Sequence, residues 1–272
     1  MKTAKRFAML AGLALALMAV LSFAGCSKKG EIAKVAPESD FEFKLSDDGT
    51  FITLARYNGN AKNLVIPETI QGMPVEVIGE YFAGYDGNNK IKSVVIPSSV
   101  KVIEPAAFID CESLEKVTLP EGLLCIGGGA FRRTGLTSVT LPEGLLCLGA
   151  NAFTETALTS ITFPKSLEYL AEAFYECDNL AEINIPDDAA FLLKNAPEYV
   201  ASVGEYMTEQ YFTIYGDNIF SGSIIDESVA LQKKLKEIKC VNCYHYEYYP
   251  KLEETIDKFG YWLRDFWVVY TT

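Results

Sequence analysis

Val117-Thr-Leu-Pro-Glu-Gly-Leu-Leu-Cys-Ile-Gly-Gly-Gly-Ala-Phe131 is followed, after seven residues, by Val139-Thr-Leu-Pro-Glu-Gly-Leu-Leu-Cys-Leu-Gly-Ala-Asn-Ala-Phe153. The same frame extends both ways. Prolines at Pro97, Pro120, Pro142, Pro164 and Pro186 are spaced 23, 22, 22 and 22 residues apart. Ala-Phe pairs keep step at Ala107-Phe108, Ala130-Phe131, Ala152-Phe153 and Ala173-Phe174, and a looser copy runs from Leu64-Val-Ile-Pro67 to Phe82. A period in the low twenties with one apolar frame marks a solenoid, whose units stack and share one core.

Each unit can be read as a small physical object. Val117 and Leu119 flank Thr118, and Val139 and Leu141 flank Thr140. Alternation over so short a run predicts a strand with one buried face. The proline then ends it, because proline donates no ladder hydrogen bond. A second apolar run follows, as in Leu123 to Ile126 and Leu145 to Leu148, and then Gly127 or Gly149 permits a turn. One unit cannot close over its own apolar face, so stacking predicts an inward column of Phe82, Phe108, Phe131, Phe153 and Phe174. Coils in parallel register would sit ~4.8 Å apart.

The pattern Pro-x-[Gly/Ser]-[Leu/Val]-x-x-[Ile/Leu]-Gly-x-x-Ala-Phe-x-x-[Cys/Thr]-x-Leu-x-x-[Val/Ile], over about Leu64 to Asp188, resembles the leucine-rich repeats of bacterial BspA-like surface proteins, also seen in Treponema. Glu104-Pro105 and Ala171 depart from it where glycine would stand, and one residue is missing before Phe174. The resemblance implies an α/β solenoid, a right-handed coil with short parallel strands. It also implies adhesion to proteins of a host or a neighbouring cell. It extends to 40–63, which looks like the strand pair opening many members. There Phe41, Phe43 and Leu45 alternate, Asp47-Asp48-Gly49 makes a turn, and Phe51-Ile-Thr-Leu54 returns. Such a hairpin would cap the solenoid of 64–196.

The two ends read differently. Lys2, Lys5 and Arg6 precede an apolar run from Phe7 to Phe23, which predicts an export signal over 1–25. Ala24-Gly25-Cys26 resembles the bacterial lipobox, which implies lipidation of Cys26 and a tether over 26–39 at the cell surface or outer envelope. Ordinary export or an uncleaved anchor is the alternative. Residues 199–272 hold 16 of the chain's 33 aromatics, including both tryptophans. Helical spacing is legible after Pro197, after Ser223-Ile-Ile-Asp226, and after Pro250 through Leu252, Ile256, Phe259, Leu263 and Phe266. The expectation for 197–272 is a mainly helical, aromatic-rich region, either a cap on the last coil or a separate binding module anchored by Trp262 and Trp267.

Charge and chemistry narrow the function. The net charge of −12 argues against a nucleic-acid or anionic-headgroup partner, leaving membrane contact to the N-terminal lipid. Cys240-Val-Asn-Cys243 with His245 is the one metal-like spacing, but a structural zinc site wants four ligands and no second pair exists. A local disulfide and two thiols are the other readings. His245 is the chain's one histidine and has no nucleophile elbow beside it. Gly127-Gly-Gly129 belongs to the repeat and is no phosphate loop. Neither a catalytic group nor a cofactor is expected. Cys111 and Cys177 share a repeat position with Thr134 and Thr156, as small inward residues would.

What remains is surface. The outward strand positions form columns through Lys116, Ser138 and Ser160, beside Thr118, Thr140 and Thr162. This hydroxyl-rich ladder is either simply good strand surface or a polar face for a protein or glycan. Leu124, Leu146, Cys125 and Cys147 form a second outward pair of columns, with Val102 and Tyr169 flanking. They are expected to make an exposed apolar contact patch, or to be covered by the C-terminal region. A cell-surface binding protein is the leading reading. An envelope scaffold acting through the aromatic C-terminal region is the alternative, and a hydrolase hidden in that region is the third.

Overall fold

The computed structural model describes residues 34–83, 90–167, 169–170, 173–186 and Lys258. A 3-10 turn at Glu38–Asp40 leads into the hairpin, in which β1 (Phe41–Leu45) is antiparallel to β2 (Ile52–Tyr57). Next come β3 (Asn63–Val65), β4 (Thr69–Ile70) and β5 (Met73–Ile78), then β6 (Ser93–Val95), β7 (Val102–Ile103), β8 (Lys116–Thr118) and β9 (Cys125–Ile126). The last four are β10 (Cys147–Leu148), β11 (Ser160–Thr162), β12 (Tyr169–Leu170) and β13 (Glu182–Asn184). Among the described residues, one sheet runs β1-β2-β5-β7-β9-β10-β12, with β4 paired to β5. Two smaller sheets, β3-β6-β8 and β11-β13, form a second side of the coil.

The turns between these sides follow from sequence. In four units a proline carbonyl accepts from the N–H three residues on: Val100, Leu123, Leu145 and Leu167 donate to Pro97, Pro120, Pro142 and Pro164 at 3.0 to 3.3 Å. The chain thus bends into its second apolar run, whose pairs are parallel and in register, as in Ile103↔Ile126 and Cys125↔Cys147. On the third side, left-handed residues stand two places either side of the buried phenylalanine. Ala106 and Asp110 flank Phe108, Gly129 and Arg133 flank Phe131, and Asn151 and Glu155 flank Phe153. These reversals close the coil without a helix. The α/β expectation is therefore corrected to a coil of strands and turns: left-handed Asp110 and Arg133 interrupt Phe108 to Leu114 and Phe131 to Leu136, and the described repeat units hold no helix.

The interior is the expected column. Ring centroids of Phe108 and Phe131 lie 5.3 Å apart, Phe131 and Phe153 5.4 Å, and Phe153 and Phe174 5.6 Å, all near-parallel. Phe82 meets Phe108 edge-on at 5.6 Å. Backbone rungs tie the same positions together: Phe108 N–H donates to Ala130 O, Phe131 N–H to Ala152 O and Phe153 N–H to Ala173 O, each at 2.8 Å. Beside the rings, Leu54, Ile78, Ile103, Ile126, Leu148 and Leu170 form the inward column of the large sheet.

The hairpin packs its aromatics against the first ring of this column. Phe41 stacks on Phe82 at 6.2 Å and Tyr57 packs at 5.3 Å from Phe41. Asp48 takes hydrogen bonds from Ser46 Oγ, Thr50 Oγ1 and Thr50 N–H, while Gly49 takes a φ of 70°. The alternation holds for Phe41, which is buried, and for Phe43, which is half-buried against the core, but not for Leu45. A bulge between Glu42 and Phe43 shifts the register, and Leu45 at the open end is 55% exposed. Gly127 serves closeness rather than a left-handed turn: a Cβ there would stand 2.5 Å from the carbonyl carbon of Glu104 on the neighbouring coil.

The expected signal, tether and Cys26 lie in 1–33, outside the described residues, apart from the tether's final stretch. So does the helical region after 197, except for Lys258. Lys258 is helical, with Nζ 2.6 Å from Glu76 Oε2 and 5.9 Å from the Phe51 ring centre. Lys258 thus meets the first coil and the hairpin, while the alternatives of a cap and a separate module for 197–272 lie outside the described residues. Among the described residues no helix is long and apolar enough to cross a membrane.

Candidate binding surface

The short-strand side carries the polar columns. On β8, Val117 is buried between exposed Lys116 and Thr118, and on β11 Ile161 is buried between exposed Ser160 and Thr162. Strand alternation does this directly, since successive side chains take opposite faces. Cross-strand register aligns Asn63, Ser93 and Lys116, then Val65, Val95 and Thr118. Further on it aligns Ser160 with Glu182 and Thr162 with Asn184. Ser93 Oγ donates to Asn63 Oδ1 at 2.9 Å, so neighbouring coils also join through this face.

One part of the expected ladder is missing. Ser138 and Thr140 are exposed, but Ser138-Val139-Thr140 adopts no strand geometry. The polar face is therefore two separate patches, one on β3-β6-β8 and one on β11-β13, with an irregular coil between them. A flat continuous sheet was the expectation, and this coil breaks it.

The second pair of columns is not an exposed patch. Cys125, Leu146 and Cys147 are buried and Leu124 is half-buried, with Val102 buried beside them. None of these belongs to the interior cluster around the phenylalanines. They lie apart from that cluster and yet are withdrawn from water, so the exposed contact patch is not found.

The third side holds a charged network that reading the strands alone overlooks. Glu155 accepts from Arg132 Nη2 at 2.9 Å and from Arg133 Nε at 2.8 Å, and Arg133 Nη1 lies 3.7 Å from Asp110. Arg132 and Arg133 occupy the first and second places after Phe131, while Glu155 and Asp110 stand second after Phe153 and Phe108. Comparing those places along the period would have found it. Partial burial pulls the Glu155 carboxyl up, but hydrogen bonds and charge from the two guanidinium groups together hold it below the ordinary range. A carboxyl depressed in the folded state stabilises above its unfolded value, and that contribution is lost as pH falls through the folded value. Thermal melts should therefore show Glu155→Gln losing stability at neutral pH and converging on the unaltered protein below about pH 3. A constant gap across that range would assign the effect to packing.

The interior cysteines sit where the repeat comparison puts them. Cys111 Sγ lies 3.4 Å from Ala83 O, Cys177 Sγ lies 3.0 Å from Phe153 O, and Thr134 Oγ1 donates to Phe131 O at 2.8 Å. Burial pushes the Cys111 thiol up to about 12, with the Asp110 charge adding to it, and burial likewise raises Cys177. A thiol so held is a poor nucleophile and metal ligand at neutral pH. Among the described residues no group of His, Cys, Asp and Glu is placed to hold a metal ion. Cys240, Cys243 and His245 lie outside them.

Comparison with known proteins agrees with this architecture. A leucine-rich-repeat protein of Treponema pallidum is 29% identical, with a TM-score of 0.51, over 55% of this chain and 71% of that one. A leucine-rich-repeat protein of Bacteroides ovatus is 26% identical, with a TM-score of 0.50, over 57% of this chain but only 42% of that one. No curated protein matches the chain. The family described as BspA type leucine rich repeat region matches six copies, over residues 76–202 and 171–254. That match continues well beyond Asp188, where the proline and phenylalanine spacing ends. Covering well over half of the sequence, it establishes that the chain belongs to the BspA-type leucine-rich-repeat family.

Proposed function

We propose that this protein is a binding protein of the cell surface that presents the polar short-strand side of its solenoid to a protein or glycan partner on a host or neighbouring cell. The observation that carries the reading is the exposure of Lys116, Thr118, Ser160 and Thr162 on strands whose central residues are locked into the core. Such residues are positioned by a rigid scaffold and yet are not needed to hold it together, which is what a recognition face requires. The apolar run before Cys26 and the resemblance of Ala24-Gly25-Cys26 to a lipobox support export and lipid anchoring at the outer envelope. A non-catalytic role fits the family and the raised interior thiols.

The test uses the exported chain against immobilised extracellular-matrix proteins, a glycan panel and the source cell's own envelope. Replacing Thr118, Thr140 and Thr162 by lysine should lower retention of a captured partner at least tenfold while the melting temperature holds. Undiminished retention would move the site off this face.

A further inference from the structure

The two polar patches of the short-strand side differ in chemistry. On β3-β6-β8, strand alternation buries Leu64, Val94 and Val117 and turns their neighbours out. Register sorts those neighbours into columns. Val65 aligns with Val95 and Val95 with Thr118, and the bridge of Val35 to Val65 extends the same column by one place. Val65 and Val95 are only half-buried and Val35 is 51% exposed, so methyl groups stand in a row at the surface. Lysines gather where the strands begin. The Lys62 carbonyl accepts from the N–H groups of Lys92 and Ser93, and the Lys92 carbonyl from those of Glu115 and Lys116, which sets Lys62, Lys92 and Lys116 on three successive coils. All three are exposed. Lys92 Nζ lies 3.8 Å from Glu115, while among the described residues Lys62 and Lys116 form no ion pair. The patch on β11-β13 turns out Ser160, Thr162, Glu182 and Asn184 instead, with neither a lysine nor a valine among them.

Resting on the reading that the short-strand side is the recognition face, we propose that β3-β6-β8 is the site on it, and that its partner is an extended, acidic segment of another protein. The face is three residues wide, about 10 Å, which is room for one extended segment running along the coil axis. Successive side chains of such a segment point to opposite sides. Carboxylates on one side meet Lys62, Lys92 and Lys116, and apolar side chains on the other lie over Val65 and Val95. Charge complementarity selects the acidic partner. These three lysines face a single carboxylate, Glu115, on a chain whose net charge is −12. Repulsion from the rest of the molecule is screened beyond about 10 Å at 0.1 M salt. The valines select a protein over a glycan. Methyl groups offer sugar hydroxyls no hydrogen bond, and the outward positions of these strands hold no aromatic ring on which a sugar could stack. A lipid surface is excluded in the same way, because it is held by larger apolar and aromatic side chains. Thr118 stands in the valine column, so Thr118→Lys obstructs the apolar row, whereas reversing the lysines removes the attraction.

The probe is a fluorescein-labelled synthetic peptide alternating glutamate and valine, titrated into the full chain and read by anisotropy. Replacing Lys62, Lys92 and Lys116 together by glutamate should weaken its binding at least tenfold, as should raised salt. Val65→Ser combined with Val95→Ser should weaken it as much, and so should a peptide with serine in place of valine. Both variants should keep the melting temperature of the unaltered chain, because none of the five side chains belongs to the interior cluster. Heparin and phosphatidylglycerol vesicles, tested in parallel, should bind at least tenfold more weakly than the peptide. Absence of peptide binding, binding indifferent to the lysine reversals or to the valine changes, or heparin or vesicles held as tightly as the peptide would each overturn the proposal. A captured partner released by Thr162→Lys yet retained through the lysine reversals would also overturn it, while leaving the short-strand side as the recognition face with its site on β11-β13.

Discussion

Phe131→Ala should destabilise the protein by about 3–5 kcal/mol, among the largest losses any single truncation will give. The ring is fully buried, stacked between Phe108 and Phe153 at 5.3 and 5.4 Å. Removing it deletes contacts on two coils at once, and the cavity cannot collapse because Phe131 N–H is tied to Ala152 O and Ala130 O to Phe108 N–H. Rigid rungs hold the gap open. Thermal and urea unfolding would both register the change, and a loss under 1 kcal/mol would mean the ring is not shared between coils.

The second large effect comes from one strand residue and its neighbour. Ile161→Asp should cost about 4–5 kcal/mol or more, enough to prevent folding, while Thr162→Asp should stay within about 0.5 kcal/mol of the unaltered protein. Ile161 is only 2% exposed in the core, whereas Thr162 faces water from the same strand, paired with Asn184. A carboxylate at 161 has neither a cation nor water to meet it. Equal tolerance at both positions, measured by expression and melting temperature, would reverse the facing of the short-strand side and with it the proposed recognition surface.

The repeat was legible because every coil presents the same demands. An inward phenylalanine needs another above and below it, so Phe82 to Phe174 could be numbered from the period alone. The outward columns followed from the same alternation. What escaped the sequence was whatever depends on longer-range contact. Leu124 and Cys125 look alike whether water or a covering segment lies against them, and only the burial of Cys125 and Cys147 separates the two. Ser138-Val139-Thr140 has the same alternation as Ser160-Ile161-Thr162, yet forms no strand, so local pattern does not distinguish them. Gly127 was read as a turn residue because glycine permits unusual backbone angles. Its actual constraint is the backbone of Glu104 and Pro105 on the preceding coil, which no single unit reveals. The Arg132, Arg133 and Glu155 network was hidden for a different reason, since it lies on the turn side, where charge is ordinarily solvated.

A double-mutant cycle tests the stacked interior most directly. Phe131→Ala and Phe153→Ala, singly and together, should show a coupling of about 0.5–1.5 kcal/mol, because the rings touch. Phe82→Ala and Phe174→Ala, at opposite ends of the column, should add to within about 0.5 kcal/mol. Additivity at the neighbouring pair would place the rings in separate pockets and contradict a common core running through the coils.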